Sequence, residues 1–282
     1  LSPSAAMAAQ CAPGISSQTG TRLRADELRV LAAQQAGATG VALVNLRSDV
    51  ATAVLVTEGA GDVALTQVST RKLVISGPRP VDDLGALTAD ATRIADGDLT
   101  ILSDGLVDLR HVALLANSDD NDLLVDTDGD ILVRWVSAGV YLASAGDAPR
   151  VDRNGDGDTD DVGDTPATEV SSAGDVTLVS GGRIAEAGVD TAVDLVADRL
   201  TLTAATGIAD LEVAVNSLDA HLTAAGDITL ADLDSALEKS SGLTVDRVWV
   251  PLSTGPGAST AIANVVDLSA AGALRVAPTS VA

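Results

Sequence analysis

Short runs of alternating apolar and polar residues recur along almost the whole chain. They are clearest over Arg199–Asp232, where Leu200 and Leu202 are followed by Leu211, Val213 and Val215, then Leu222, then Ile228 and Leu230. Small-residue turns at 204–207 and 224–227 separate them. A period of two puts alternate side chains on one face of a strand, and runs this short, bounded by Gly, Ser, Thr or Asp, read as brief strands. Several runs open with the phrase Gly-Asp-aliphatic-x-aliphatic. It stands at Gly61-Asp62-Val63-Ala64-Leu65, Gly97-Asp98-Leu99-Thr100-Ile101, Gly174-Asp175-Val176-Thr177-Leu178 and Gly226-Asp227-Ile228-Thr229-Leu230, with a looser copy at Gly129-Asp130-Ile131-Leu132-Val133. A repeated strand-and-turn phrase implies a repeated structural unit. The pattern predicts an all-β chain folded as a parallel β-helix, a β-solenoid, with coils of roughly 18–30 residues and roughly ten coils in all.

Taken in order, residues 1–19 are rich in Ala, Ser, Pro and Gly without periodicity and read as an irregular N-terminal segment or cap. The solenoid is expected over 20–282. Thr21–Gly37 has a helix-like apolar spacing too, but Leu23-x-Ala25 and Leu28-x-Val30 fit strands and the glycine spacing of later units. Gly77-Pro78-Arg79-Pro80 cannot continue a ladder, because proline lacks the donor, and so marks an outward loop. Ile131–Ala143 is the longest strand-like apolar region, with Trp135 and Tyr141 on one parity and Arg134 on the other. The rhythm breaks at 144–172, a polar, acidic insertion expected to project from one side of the stack.

Composition sharpens the fold more than the task. The apolar residues are almost all Ala, Val, Leu and Ile, with no Phe, one Tyr, two Trp and one Met, which suits a narrow core filled in aliphatic layers. The formal net charge is −23, and lysine occurs only as Lys72 and Lys239. Such a field disfavours nucleic acid and anionic membrane and favours divalent cations as counter-charge. Many of the aspartates are also turn residues, whose carboxylates cap their own backbone. Cys11 is the only cysteine, so neither an intramolecular disulfide nor a multi-cysteine metal site can form. No run approaches the ~18 apolar residues of a membrane span. Leu1 without an initiator Met suggests a mature product or a piece of a longer chain.

The repeats in Ala197–Asp210 and Leu218–Asp232, ADRLTLTAATGIAD and LDAHLTAAGDITLAD, resemble those of very large bacterial surface proteins of the filamentous-haemagglutinin-like class. The likeness is close over Asp175–Asp232 and loose over the rest of Gly20–Val276. It implies a right-handed parallel β-helix serving as an extracellular or surface-attached shaft, adhesive or matrix-forming. Its repeat length is less regular than in that class, and the acidic insertion departs from it.

The sharpest chemical motif lies inside that insertion. Asp152, Asn154 and Asp156, with Gly157 allowing a sharp turn, reproduce the first half of a calcium loop, in which alternate residues turn hard oxygen ligands onto one ion. Asp158 is a further candidate ligand, and because Gly163 stands where a bidentate Glu would close the site, Asp160, Asp161 or Asp164 must supply the last carboxylate. The motif resembles the calcium loops of dockerins and thrombospondin type 3 repeats. The alternative is a plain acidic loop. A weaker second site is Asp126, Asp128 and Asp130, although Gly129-Asp130 is already explained as a repeat turn. No catalytic or organic-cofactor site is expected: His111 and His221 stand among apolar neighbours, and no nucleophile elbow, phosphate loop or histidine metal motif occurs. The expected function is a calcium-stabilised extracellular β-solenoid on a bacterial surface, adding copies of itself end to end or contacting a surface glycan or neighbouring cell. The alternative is a β-helix polysaccharide lyase or glycoside hydrolase.

Overall fold

The structure is a computed structural model that describes residues 6–10, 22–32, 44–80, 87–116, 121–138, 150–151, 165–166, 174–188, 191–233, 243–250, 266–270 and 275–276. These residues form a parallel β-solenoid: one 22-stranded sheet wound on itself, in which each strand pairs with its counterparts in the coils before and after. No helix occurs among the described residues, and none is long and apolar enough to cross a membrane. The helix-like spacing after Thr21 resolves into the strands Leu23–Arg24 and Glu27–Ala32.

Each complete coil has three faces. The first face stacks Val44–Asp49, Val63–Gln67, Leu99–Ser103, Leu123–Thr127, Val176–Ser180, the end of Leu195–Ala204, the end of Gly207–Leu222, and Thr244–Trp249. The second face carries Leu73–Ile75, Val107–Leu109, Ile131–Val133, Arg183–Glu186 and the starts of Gly207–Leu222 and Asp227–Asp232. The third carries Thr92–Ile94, Val112–Leu114, Val136–Ala138, the start of Leu195–Ala204 and the middle of Gly207–Leu222. Ile131–Ala143 is therefore not one strand. It turns a corner at Arg134-Trp135, leaving two three-residue strands on different faces.

Register explains the alternation. Val63, Leu99, Leu123, Val176, Leu200 and Leu218 form one inward column of the first face, and Leu65, Ile101, Val125, Leu178 and Leu202 the next. On the second face Val107, Ile131, Ile184, Ile208 and Ile228 stack in line, all without solvent exposure. Each such side chain is worth roughly 1.5–3 kcal/mol of burial. Like-on-like stacking lets β-branched residues keep one rotamer through many layers.

A third inward column of the first face is polar: Ser48, Gln67, Ser103, Thr127 and Ser180 are all buried. They sit where the chain turns to the second face, and their side chains serve backbone groups that the turn leaves over. Gln67 donates to Val50 O and accepts from Val50 N, Ser103 and Thr127 both donate to Gly105 O, and Ser180 donates to Gly129 O. Buried polar groups satisfied this way hold the corner without an uncompensated desolvation cost.

Candidate functional site

The Gly-Asp phrase marks corners. On entry to the first face, Asp98 N donates to Asp62 Oδ1 (3.1 Å), Asp122 N to Asp98 Oδ1 (2.9 Å), Asp175 N to Asp122 Oδ1 (2.9 Å) and Arg199 N to Asp175 Oδ1 (3.2 Å). One carboxylate per coil thus caps the next coil's backbone, and the column runs along one edge of the stack. Glycine precedes Asp62, Asp98 and Asp175 because the coils nearly touch there, while Asn121 precedes Asp122. A Cβ on Gly97 would lie 2.6 Å from Gly61 O, at a φ of +123°, and one on Gly174 would lie 2.2 Å from Asn121 O. Gly129-Asp130 and Gly226-Asp227 open the second face instead, where Asp130 Oδ1 accepts from Arg183 N at 2.9 Å. The sequence phrase therefore names two different corners. Burial, and then the Asp122 charge, push the Asp175 carboxyl above its ordinary value.

The expected calcium ligands Asp152, Asn154, Asp156, Asp158, Asp160, Asp161 and Asp164 lie outside the described residues. Their flanks are described: Arg150 pairs with Pro166 and Val151 with Thr165 in a two-stranded antiparallel ladder that brings the ends of the segment together. The weaker trio is dispersed by the fold. Asp126 points outward from the first face, the Asp128 amide donates to Ser103 O at the corner, and the Asp130 carboxylate sits against the Arg183 amide and 3.8 Å from its Nε.

Among the described residues, the one group of three acids whose donor atoms converge is Glu186, Asp194 and Glu212, with oxygens all within 4.8 Å of one another. Glu186 ends a second-face strand, Asp194 precedes the third-face strand that follows, and Glu212 lies one coil further on. Backbone bonds fix two of them: Asp194 N donates to Glu212 O (2.7 Å) and Glu212 N to Asp194 Oδ2 (3.1 Å). Hard oxygen donors in this arrangement suit a divalent cation such as calcium or magnesium. Sequence reading missed the group because its members share no motif and meet only when coils stack.

Both histidines meet tryptophans one coil on. His111 stacks on Trp135 with centroids 5.7 Å apart and planes at 21°, and His221 tilts against Trp249 at 4.7 Å and 44°. Trp135 is 4% exposed, in a second apolar cluster with Ala113, Val196 and Ala214 outside the main core, whereas Trp249 is 48% exposed. Burial, helped by the Arg134 charge, pulls the His111 imidazole down from 6.5 to about 4, so it is neutral at ordinary pH.

The chain matches no protein-family model, no curated protein and no solved structure.

Proposed function

We propose that this chain is a structural or adhesive β-solenoid of the extracellular bacterial surface, a stiff element that presents its acidic insertion away from the stack. The observation that carries the reading is the parallel strand pairing that links Ala6–Gln10 at one end to Arg275–Val276 at the other, with register shifts along Gly207–Leu222 and one aliphatic core running from Leu28 to Val245. A stack of this kind resists deformation because every coil is hydrogen-bonded along its length to both neighbours. The resemblance of its repeats to haemagglutinin-like surface shafts points the same way, as does an acidic surface with few cations.

Calcium is the proposed counter-ion, held by Asp152, Asn154 and Asp156 with later acids of the same segment. The Arg150–Pro166 ladder supports this, since a cation loop must return on itself before its alternate oxygens can converge. Copies joined end to end through open strand edges would extend the element.

Two measurements test the proposal. Thermal unfolding should shift upward with calcium and back with chelator, and the double variant Asp152→Ala, Asp156→Ala should lose that response; identical curves overturn the calcium assignment. Pulling single molecules from their ends should give successive high-force steps as coils peel away. Smooth low-force extension, or turnover of an anionic polysaccharide, would overturn the shaft reading.

A further inference from the structure

In a chain of net charge −23, Lys72, Arg110 and Arg134 follow one another on three successive coils of the second face, and the first two pair with one buried acid, Asp108. Asp108 is the middle residue of Val107–Leu109, opposite Val74, and Lys72 directly precedes the strand Leu73–Ile75 of the neighbouring coil. Lys72 Nζ lies 2.7 Å from Asp108 Oδ2, and Arg110 Nε lies 3.5 Å from the same oxygen. The Asp108 side chain is only 6% exposed, against 45% for Lys72 and 38% for Arg110. Arg134 occupies the rung beside Arg110: Arg110 N donates to Ile75 O and Arg134 N to Leu109 O, so the two arginines follow one another along the stack. Arg134 is exposed and makes no ion pair among the described residues. Neighbouring rungs are about 4.8 Å apart. Two guanidinium groups can therefore reach one oxyanion.

The second observation concerns the other carboxylate oxygen. Asp108 Oδ1 is buried and has no hydrogen-bond partner, while both cations crowd Oδ2. A buried carboxylate oxygen without a donor is unfavourable, and native structures rarely keep one without a reason. Lys72 and Arg110 are long, flexible and partly exposed, so either can turn from Oδ2 toward an incoming anion, and the site requires that movement to open a path to the buried Oδ1. A ligand that brings both an anion for the arginines and a hydroxyl for Oδ1 satisfies the whole cluster at once. A bare anion leaves Oδ1 without a donor, and a neutral sugar leaves the cations unused.

We infer that Lys72, Asp108, Arg110 and Arg134 form a binding site for an acidic saccharide, with the sugar carboxylate between the arginines and an adjacent hydroxyl donating to Asp108 Oδ1. Paired arginines suit a planar carboxylate, which accepts two hydrogen bonds side by side. The site is independent of the calcium loop and of the shaft reading, and any of the three can fail alone.

The test is calorimetric titration of the full chain with trigalacturonate at low salt and in EDTA, so that no calcium bridges sugar to protein. Its methyl ester and inorganic sulfate are titrated in parallel. Trigalacturonate should bind, with the ester and sulfate each at least tenfold weaker. Arg134→Gln, which leaves the Asp108 ion pairs in place, should weaken binding about tenfold, and Arg110→Gln with Arg134→Gln should abolish it. Arg199→Gln, which removes an ion pair with Asp246 elsewhere on the stack, should change nothing. No binding by the folded wild type, equal binding of the ester or of sulfate, or indifference to Arg134→Gln would each overturn the assignment.

Discussion

The backbone amide of Asp122 donates to Asp98 Oδ1 at 2.9 Å, and the carboxylate of Asp122 does the same for Asp175 in the next coil. Asp98, Asp122 and Asp175 are thus each both capped and capping, which makes the hydrogen bond the main contribution expected of them. Asp98→Asn keeps an acceptor in place and removes one of several like charges. It should leave stability unchanged or raise it by a few tenths of a kcal/mol, whereas Asp98→Ala should lower it by about 1–2 kcal/mol. Urea unfolding of the pair decides; equal losses would mean that the charge is what counts.

Acid acts on Asp175 in one direction. The Asp175 carboxyl is raised by burial and by Asp122, so the folded chain binds its proton more readily than the unfolded chain does. Its contribution to stability therefore improves as pH falls through the ordinary carboxylate range, and Asp175→Asn should remove that gain. Unfolding free energies across that range, compared between wild type and variant, check the sign.

His111 works the other way and at higher pH. Its folded value is about 4 against 6.5 when free, so between those limits the unfolded chain takes up the proton and the folded chain does not. Stability is fully present above pH 6.5 and declines as pH falls, by up to about 3 kcal/mol at pH 4. His111→Gln should flatten this limb of the profile in denaturant titrations at a series of pH values. A profile identical to wild type would show that His111 is solvated in the folded chain.

Close contact between coils makes Gly174 hard to replace. An added Cβ would meet Asn121 O at 2.2 Å, and that oxygen belongs to the backbone of the neighbouring coil, so it cannot step aside as a side chain could. Gly174→Ala should cost more than about 2 kcal/mol and lower the melting temperature, far beyond an ordinary glycine-to-alanine change. A loss below 1 kcal/mol would show that the coils are spaced more widely.

The two tryptophans report separate environments. Iodide should quench Trp249, which is 48% exposed, and leave Trp135, at 4%, almost untouched. Trp249→Phe should therefore remove nearly all quenchable emission, and Trp135→Phe should remove little. The reverse result would contradict the placement of the corner at Arg134-Trp135.

The fold was legible because first-face strands such as Val63–Gln67, Leu99–Ser103, Leu123–Thr127 and Val176–Ser180 alternate buried with less buried positions, and a period of two survives any reading frame of coils. Less legible were the corners. Ser103, Thr127 and Ser180 look like ordinary turn residues, yet they are buried in one column and bind backbone. Ile131–Val133 and Val136–Ala138 read as one strand because no Gly, Pro or Asp separates them; the turn is made by Arg134 and Trp135, whose side chains give no such signal. The acids at 186, 194 and 212, and the cations at 72, 110 and 134, come near one another only across coils, and adjacency in sequence cannot show it. The 152–164 motif is the opposite case, wholly local in sequence and outside the described residues.

The aspartate column also shows how such a molecule can change size. The residues it links, Asp62, Asp98, Asp122, Asp175 and Arg199, are separated by 36, 24, 53 and then 24 residues, yet every step spans one rung. The excess of the longest step over 24 equals the length of the 144–172 insertion. Sequence can therefore be added at a corner, or a whole coil duplicated or lost, while neighbouring rungs keep their partners. Height along the axis and decoration of the sides are then separate heritable traits, and a lineage can lengthen its reach without redesigning what it displays.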